Sequence, residues 1–329
     1  MSAAHSIQPD SPRRTTESEQ NGASGGNGAA LSRLFALYVG LLCIVYAIPL
    51  WRLFLEAWEN EAHSHILLVP IVSLYLLVTS SRQWISLPRS RPRLALIPAF
   101  FGLLAAGGMW WARSKGVVIS EHDHLSVMIV SFLCMLVAGG FWFLGGSVMR
   151  QLAFPAAFLA FMIPVPHRVM EGVNIFLQHA SAEAANLMLH VGGPPFVREG
   201  LLFQLPGITL LVAEECSGVR STLVLFITSI LASYLFLRSG WRRSLLVAVV
   251  LPIAIIRNGF RIYVIAMLCV HIDPSMIHSI IHKRGGPLFF ALSLIPLFAL
   301  LVWLRRREQV VTDENPRLDP SLNRGDGVK

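Results

Sequence analysis

The chain has 329 residues, of which 54% are hydrophobic and only 14% charged, with 27 Lys and Arg against 19 Asp and Glu for a formal net charge of +8. About 25% charged residues is usual for a globular protein, and a soluble surface built from so few would leave large apolar patches facing water. This excludes an ordinary soluble enzyme, a coiled coil and a disordered chain, and leaves an all-α, polytopic membrane helical bundle.

Residues 1–30 are rich in Gly, Ser, Asn and Ala and cannot bury enough surface to fold, so a disordered polar tail is expected there. The apolar core of a signal peptide is missing from it. A membrane domain is expected over residues 31–307 and a polar cytoplasmic tail over 308–329. A helix crossing a hydrocarbon layer of about 30 Å needs about 20 residues. Apolar segments of that order lie near 34–54, 65–81, 94–112, 126–146, 151–164, 219–237, 245–266 and 287–304, which predicts about eight spans. The fifth is short, ends at Pro164-Val165-Pro166, and reads equally as a complete span or a re-entrant element.

The connections carry an orientation signal. Arg82, Arg89, Arg91 and Arg93 form one basic cluster, Arg238, Arg242 and Arg243 a second, and Arg305, Arg306 and Arg307 a third. Eight spans with both termini together put all three on one side, and the positive-inside rule makes that side cytoplasmic. The basic excess is then a topology signal and calls for no nucleic-acid partner. The long segment from Pro166 to Gly218 falls on the other side. Within it, Val169–Val191 carries apolar residues at helical spacing beside Glu171, Asn174, Gln178, His179, Glu183 and Asn186. That is an amphipathic helix at the lipid surface. Phe196–Leu211 reads as extended or turning chain punctuated by Gly200 and Pro206-Gly207.

Three stretches carry residues suited to chemistry. The first is Cys216-Ser217-Gly218-Val219-Arg220-Ser221, where the outer segment enters the sixth span. A thiol at a helix start feels the positive end of the macrodipole, which favours the thiolate, although Glu214 and Glu215 oppose it. A small apolar filler is the bland reading of the same cysteine. The other cysteines, at 43, 134 and 269, form no CxxC pair, and no disulfide framework is expected. The second stretch is Arg257-Asn258-Gly259-Phe260-Arg261, with two arginines four residues apart on one helix face. Charge inside a bilayer faces a bundle interior or a wet cavity, unless it snorkels to the interface. The third is the loop from His271 to Gly286, which holds His278 and His282. Their i, i+4 spacing could bind a metal, but no HExxH and no third ligand accompany it. A general base for a nearby thiol is the better use of an imidazole there, and neither a metal nor a cofactor is expected. The eight-span arrangement puts Cys216, Arg261 and His282 at the same outer face, a set suited to covalent acyl transfer.

In these residues the chain resembles the exosortase/archaeosortase family of multi-pass membrane cysteine transpeptidases, over about residues 34–304. Ser64-His65-Ile66-Leu67-Leu68-Val69-Pro70 is similar to the family's His-Gly-x-Leu/Val-x-Pro segment, with Ile66 in place of the usual Gly. Pro164-Val165-Pro166 resembles its Pro-x-Pro turn, Cys216-Ser217-Gly218-Val219-Arg220-Ser221 its nucleophile motif, Asn258-Gly259-Phe260-Arg261 its Asn-x-x-Arg, and His282-Lys283-Arg284-Gly285-Gly286 its His-x-x-x-Gly. The resemblance implies that Cys216 attacks a substrate carbonyl and holds the acyl group as a thioester. It implies that His282 exchanges protons, with His278 as a rival, and that Arg261 stabilises thiolate or oxyanion charge. Ser217, Gly218, Arg220, Arg257, Asn258 and Gly286 would support them. The implied substrates are exported proteins with a C-terminal signal of a short motif, a transmembrane helix and a basic cluster. The new carboxyl end would pass to an amine or to water. Two other readings remain: a transporter that uses Arg220, Arg257 and Arg261 along an anion path, and a non-catalytic scaffold for envelope polysaccharide assembly.

Overall fold

The computed structural model describes residues 15–59, 63–81, 92–213, 218–273 and 286–314. The chain divides into two compact units, Met1–His167 and Arg168–Lys329.

The first unit is helical. α1 (Thr15–Val45) is followed by α2 (Ala47–Glu59), α3 (His65–Ser81), α4 (Pro92–Ser114) and α5 (Glu121–Gly139). A widened π turn at Gly140–Leu144 leads into α6 (Gly145–Gln151), and α7 (Ala153–Phe158) ends in a 3-10 turn at Leu159–Met162. α1 starts inside the segment read as an unfolded tail: residues 15–30 are helical backbone. Extending a helix already formed downstream costs far less than starting one. The segment expected as one span at 34–54 is bent, with Ala30–Val45 and Ala47–Glu59 at 72°. Pro49 explains the break, because it lacks an N–H and its ring clashes with the carbonyl four residues back, that of Val45.

Polar groups inside this unit are paired across helices. The Tyr46 and Ser131 hydroxyls lie 2.6 Å apart, and Ser131 also donates to the Gly102 carbonyl at 2.7 Å, which joins α2's entry, α4 and α5. Ser73 of α3 donates to the Pro155 carbonyl of α7. At the π turn the Tyr38 hydroxyl donates to the Met135 carbonyl, and a side chain at Gly139 would overlap the Tyr38 ring. The Pro164-Val165-Pro166 turn is extended chain whose carbonyls have no ladder to join. Ser126 donates to the Pro164 carbonyl and His122 Nε2 to that of Val165, at 2.8 Å each.

The second unit contains α8 (His167–Gly192), the strands β1 (Val197–Glu199), β2 (Leu202–Leu205) and β3 (Ile208–Leu211), then α9 (Val219–Phe236), α10 (Gly240–Ala248), α11 (Val250–His271) and α12 (Gly286–Glu314). The predicted extended region is an antiparallel sheet in the order β1-β2-β3. Its two turns contain Gly200 and Gly207, both at positive φ, where glycine carries no Cβ penalty. α8 is the predicted amphipathic helix. Leu177, Gln178, Ser181, Ala182, Ala185 and Leu189 are its buried stripe, of which Ala182, Ala185 and Leu189 pack on the sheet and on α11, in a core with Phe203, Leu210, Ile262, Ile265 and Cys269. A second core joins α9, α10, α11 and α12 through Leu225, Leu246, Val250, Leu297 and Leu301. At one end of the unit the Glu308 carboxylate of α12 accepts from the backbone N–H of Arg238 and of Ser239, and lies 3.5 Å from Arg242. Two of the three basic clusters therefore meet at the same end of this unit.

Among the described residues, five helices are long and apolar enough to cross a membrane: Arg93–Ser114, Glu121–Gln151, Val219–Phe236, Gly240–His271 and Gly286–Gln309. Counting Ala30–Val45 with Ala47–Glu59, and Ala153–Met162 with His167–Gly192, as one span each makes seven, and His65–Thr79 is a shorter apolar helix. Every segment expected to span thus has a helix, but not all have the length. Ala153–Met162, at about 1.5 Å per residue, reaches only about half the hydrocarbon thickness by itself. Leu37, Ile44, Ile71, Trp110, Leu288 and Ile295 are each more than half exposed, a surface suited to lipid rather than water.

Candidate active site

Two of the expected site motifs meet inside the second unit. Gly218 precedes α9 with φ +72°, a left-handed conformation that a side chain would strain. Its carbonyl accepts from the Ser221 and Thr222 hydroxyls and from the Thr222 N–H, closing the first turn of α9. The same carbonyl faces Arg257 Nη2 of α11 at 3.4 Å. A Cβ on Gly218 would fall 2.8 Å from Arg257 Nη2 and 3.1 Å from Asn258 Oδ1. Glycine is therefore required twice, by backbone conformation and by close approach.

Arg257 and Asn258 are buried, at 6% and 3% exposure, which removes snorkelling as an account of Arg257. Arg257 Nη1 is buried and has no hydrogen-bond partner among the described residues. A buried guanidinium costs several kcal/mol unless an anion or a dense set of acceptors faces it. Arg261 lies one turn further along α11 and is half-buried. Gly259, between them, lets α11 approach α8: a Cβ there would lie 2.5 Å from that of Ala184. The Phe260 ring meets that of Phe289, in the first turn of α12, so Gly286 enters its helix at the level of Arg257 and Arg261. Arg220 is exposed on the first turn of α9.

Gly218, Arg257, Asn258, Arg261 and Gly286 are thus brought to one end of the second unit, opposite the end held by Glu308. Cys216, Ser217, His278 and His282 lie outside the described residues. Of the other cysteines, Cys43 is exposed, Cys134 half-buried and Cys269 buried, all within apolar helices.

The first unit holds a constellation that sequence spacing does not reveal. Glu56 Oε1 of α2 lies 2.7 Å from His122 Nδ1 of α5 and 3.1 Å from His63 Nδ1, just before α3. The two imidazoles stack at 5.4 Å. Burial pushes His63 below its ordinary value, and the Glu56 carboxylate opposes that only in part. Beside this cluster Glu121 bridges Arg52 at 2.7 Å and Arg113 at 3.3 Å on the exposed surface. No local motif links a residue of α2 to one in α5, so only the local Glu56-x6-His63 pair was open to a sequence search.

Comparison with known proteins agrees with the motifs. No curated protein sequence and no solved structure matches the chain. The family described as transmembrane exosortase (Exosortase_EpsH) matches residues 58–314, a stretch that includes the Gly218–Arg257–Asn258 contact. The chain therefore belongs to the transmembrane exosortase family: it is a multi-pass membrane protein and a membrane-embedded sorting enzyme.

Proposed function

We propose that the chain is a cysteine transpeptidase or endopeptidase that cuts the C-terminal sorting signal of exported proteins. The observation that carries this reading is the contact of Gly218 with Arg257 and Asn258, because it joins the turn that follows Cys216 to the Asn-x-x-Arg segment. In the proposed reaction the Cys216 thiol gives its proton to His282 and the sulfur attacks the scissile carbonyl carbon. The carbonyl π bond opens to an oxyanion, which Arg261 stabilises. The C–N bond then breaks, His282 returns the proton to the leaving amine, and a thioester remains on Cys216. An acceptor amine or water attacks that thioester and releases the thiol. His278 is the alternative proton carrier.

Arg257 is better suited to positioning than to chemistry. Its guanidinium meets the Gly218 carbonyl and steadies the backbone that follows Cys216 in the chain. The substrates are exported proteins that end in a short motif, a transmembrane helix and a basic cluster. The enzyme sits in the cytoplasmic membrane with its site on the extracytoplasmic face and both termini inside. Two findings support this polarity: the basic residues Arg238 and Arg242 meet Glu308 beside Arg305–Arg307, and the Gly218–Arg257 contact is at the other end of the same unit.

Mass spectrometry of a co-expressed substrate tests the reading. Wild type should yield a substrate with a new C-terminus, bearing the acceptor if transfer occurs. Cys216→Ala should insert normally and leave the substrate intact. Normal processing by Cys216→Ala would sink the proposal.

A further inference from the structure

His122 sets the argument. Its Nε2 lies 2.8 Å from the Val165 carbonyl oxygen, which can only accept, so Nε2 carries the hydrogen. In the neutral ring Nδ1 is then a bare lone pair, and it points at the Glu56 carboxylate 2.7 Å away. Two acceptors at that distance need a positive particle between them. A proton on Nδ1 would satisfy this one pair and nothing more. It leaves His63 Nδ1, which is buried, 3.1 Å from the same carboxylate oxygen and without a directed hydrogen bond. A metal ion satisfies all three at once.

We infer that Glu56, His63 and His122 form a binding site for a divalent transition-metal ion of the zinc class, independent of the cysteine chemistry. The three ligand atoms lie within 4.8 Å of one another. Zinc bonds to His nitrogen at about 2.0–2.1 Å and to carboxylate oxygen at about 2.0–2.2 Å, so tetrahedral ligands stand roughly 3.3 Å apart. The 3.1 Å separation already fits, and the 2.7 Å separation opens with a small rotation of the Glu56 side chain. The bond from His122 Nε2 to a backbone carbonyl is the outer support that ligating histidines commonly have. Two histidines and one carboxylate are an established zinc set. Glu56 and His122 also line a cavity of about 290 Å³, with room for a water as fourth ligand. The ligands come from α2, the turn before α3, and α5, and His122 also holds the Pro164-Val165-Pro166 turn. The ion would therefore clamp four parts of the first unit at one end.

The test uses the full-length chain in detergent, equilibrated with Zn²⁺ and dialysed into metal-free buffer. Elemental mass spectrometry should find about one zinc per chain, as three converging protein ligands retain the ion. Glu56→Gln and His63→Ala should each lower that roughly tenfold or more. The double variant Cys216→Ala with His282→Ala should keep the zinc, which separates this site from the proposed catalytic one. A ligand variant can also unfold the chain, so Co²⁺ is titrated into wild type as a second measurement. Visible d–d absorption of tetrahedral strength, displaced by Zn²⁺, is expected. Zinc retained in full by Glu56→Gln, or wild type that holds no zinc and gives a silent Co²⁺ spectrum, overturns the inference.

Discussion

At the level of single residues, the decisive one is Gly218. A side chain there meets two separate penalties. The left-handed backbone costs a non-glycine residue roughly 1–2 kcal/mol, and the Cβ collides with Arg257 Nη2 at 2.8 Å. Gly218→Ala should therefore lower processing by about tenfold or more, the size of effect expected when a nucleophile is displaced by about an ångström, while the protein still inserts. Initial rates on a co-expressed substrate, normalised to membrane protein level, check this. Rates equal to wild type would show that the Gly218–Arg257 contact does not govern the site. Spacing puts both arginines of Arg257-Asn258-Gly259-Phe260-Arg261 on one helix face, and the family resemblance makes Arg261 the charge stabiliser and Arg257 a supporting residue. The fold separates them by depth: Arg257 is buried against Gly218 and Arg261 is half-buried one turn on.

Among the elements, α8, α11 and the small sheet form one packed assembly. The period-3.6 apolar pattern of Val169–Val191 and the glycine-punctuated stretch after it were legible, because helix periodicity and turn chemistry are local properties. The pairing of β1, β2 and β3 and the choice of α11 as the partner of α8 were not, since those depend on contacts distant in sequence. Gly259 is the point where that choice is enforced. Small residues let membrane helices approach closely, and here the space beside Gly259 is filled by Ala184. Gly259→Val should push α11 from α8 and cost about 1–3 kcal/mol, the usual penalty of overpacking. A lower thermal midpoint in detergent, read by intrinsic fluorescence, is the expected outcome. An unchanged midpoint would mean that the α8–α11 contact is loose. The bend between α1 and α2 has the opposite history. Pro49 was visible in the sequence, but a run of apolar residues read by hydropathy conceals a break in direction.

For the whole molecule, the charge distribution predicts sidedness. In the second unit, Arg238 and Arg242 gather with Glu308 at one end, while the sheet packs on Ile262, Ile265 and Cys269 in the C-terminal half of α11. With the four native cysteines replaced by alanine, a membrane-impermeant thiol reagent applied to intact cells should label Glu199→Cys, and should label Arg238→Cys only after permeabilisation. The reverse pattern would invert the proposed orientation and put the Gly218–Arg257 end in the cytoplasm. Both positions are exposed, so access and not burial decides the result.

The sequence by itself determined the class of protein, the approximate position of the apolar helices, the amphipathic α8 and the family. Each follows from composition, periodicity or short motifs, and these act over a few residues or sum over the chain. Tertiary structure alone decided that Gly218 packs against Arg257 and Asn258, that Glu308 caps the chain entering α10, and that Glu56, His63 and His122 converge. These are meetings of groups 39, 69 and 66 residues apart. No local preference encodes them, because the free energy that selects such a meeting comes from packing and polar satisfaction after the helices have formed.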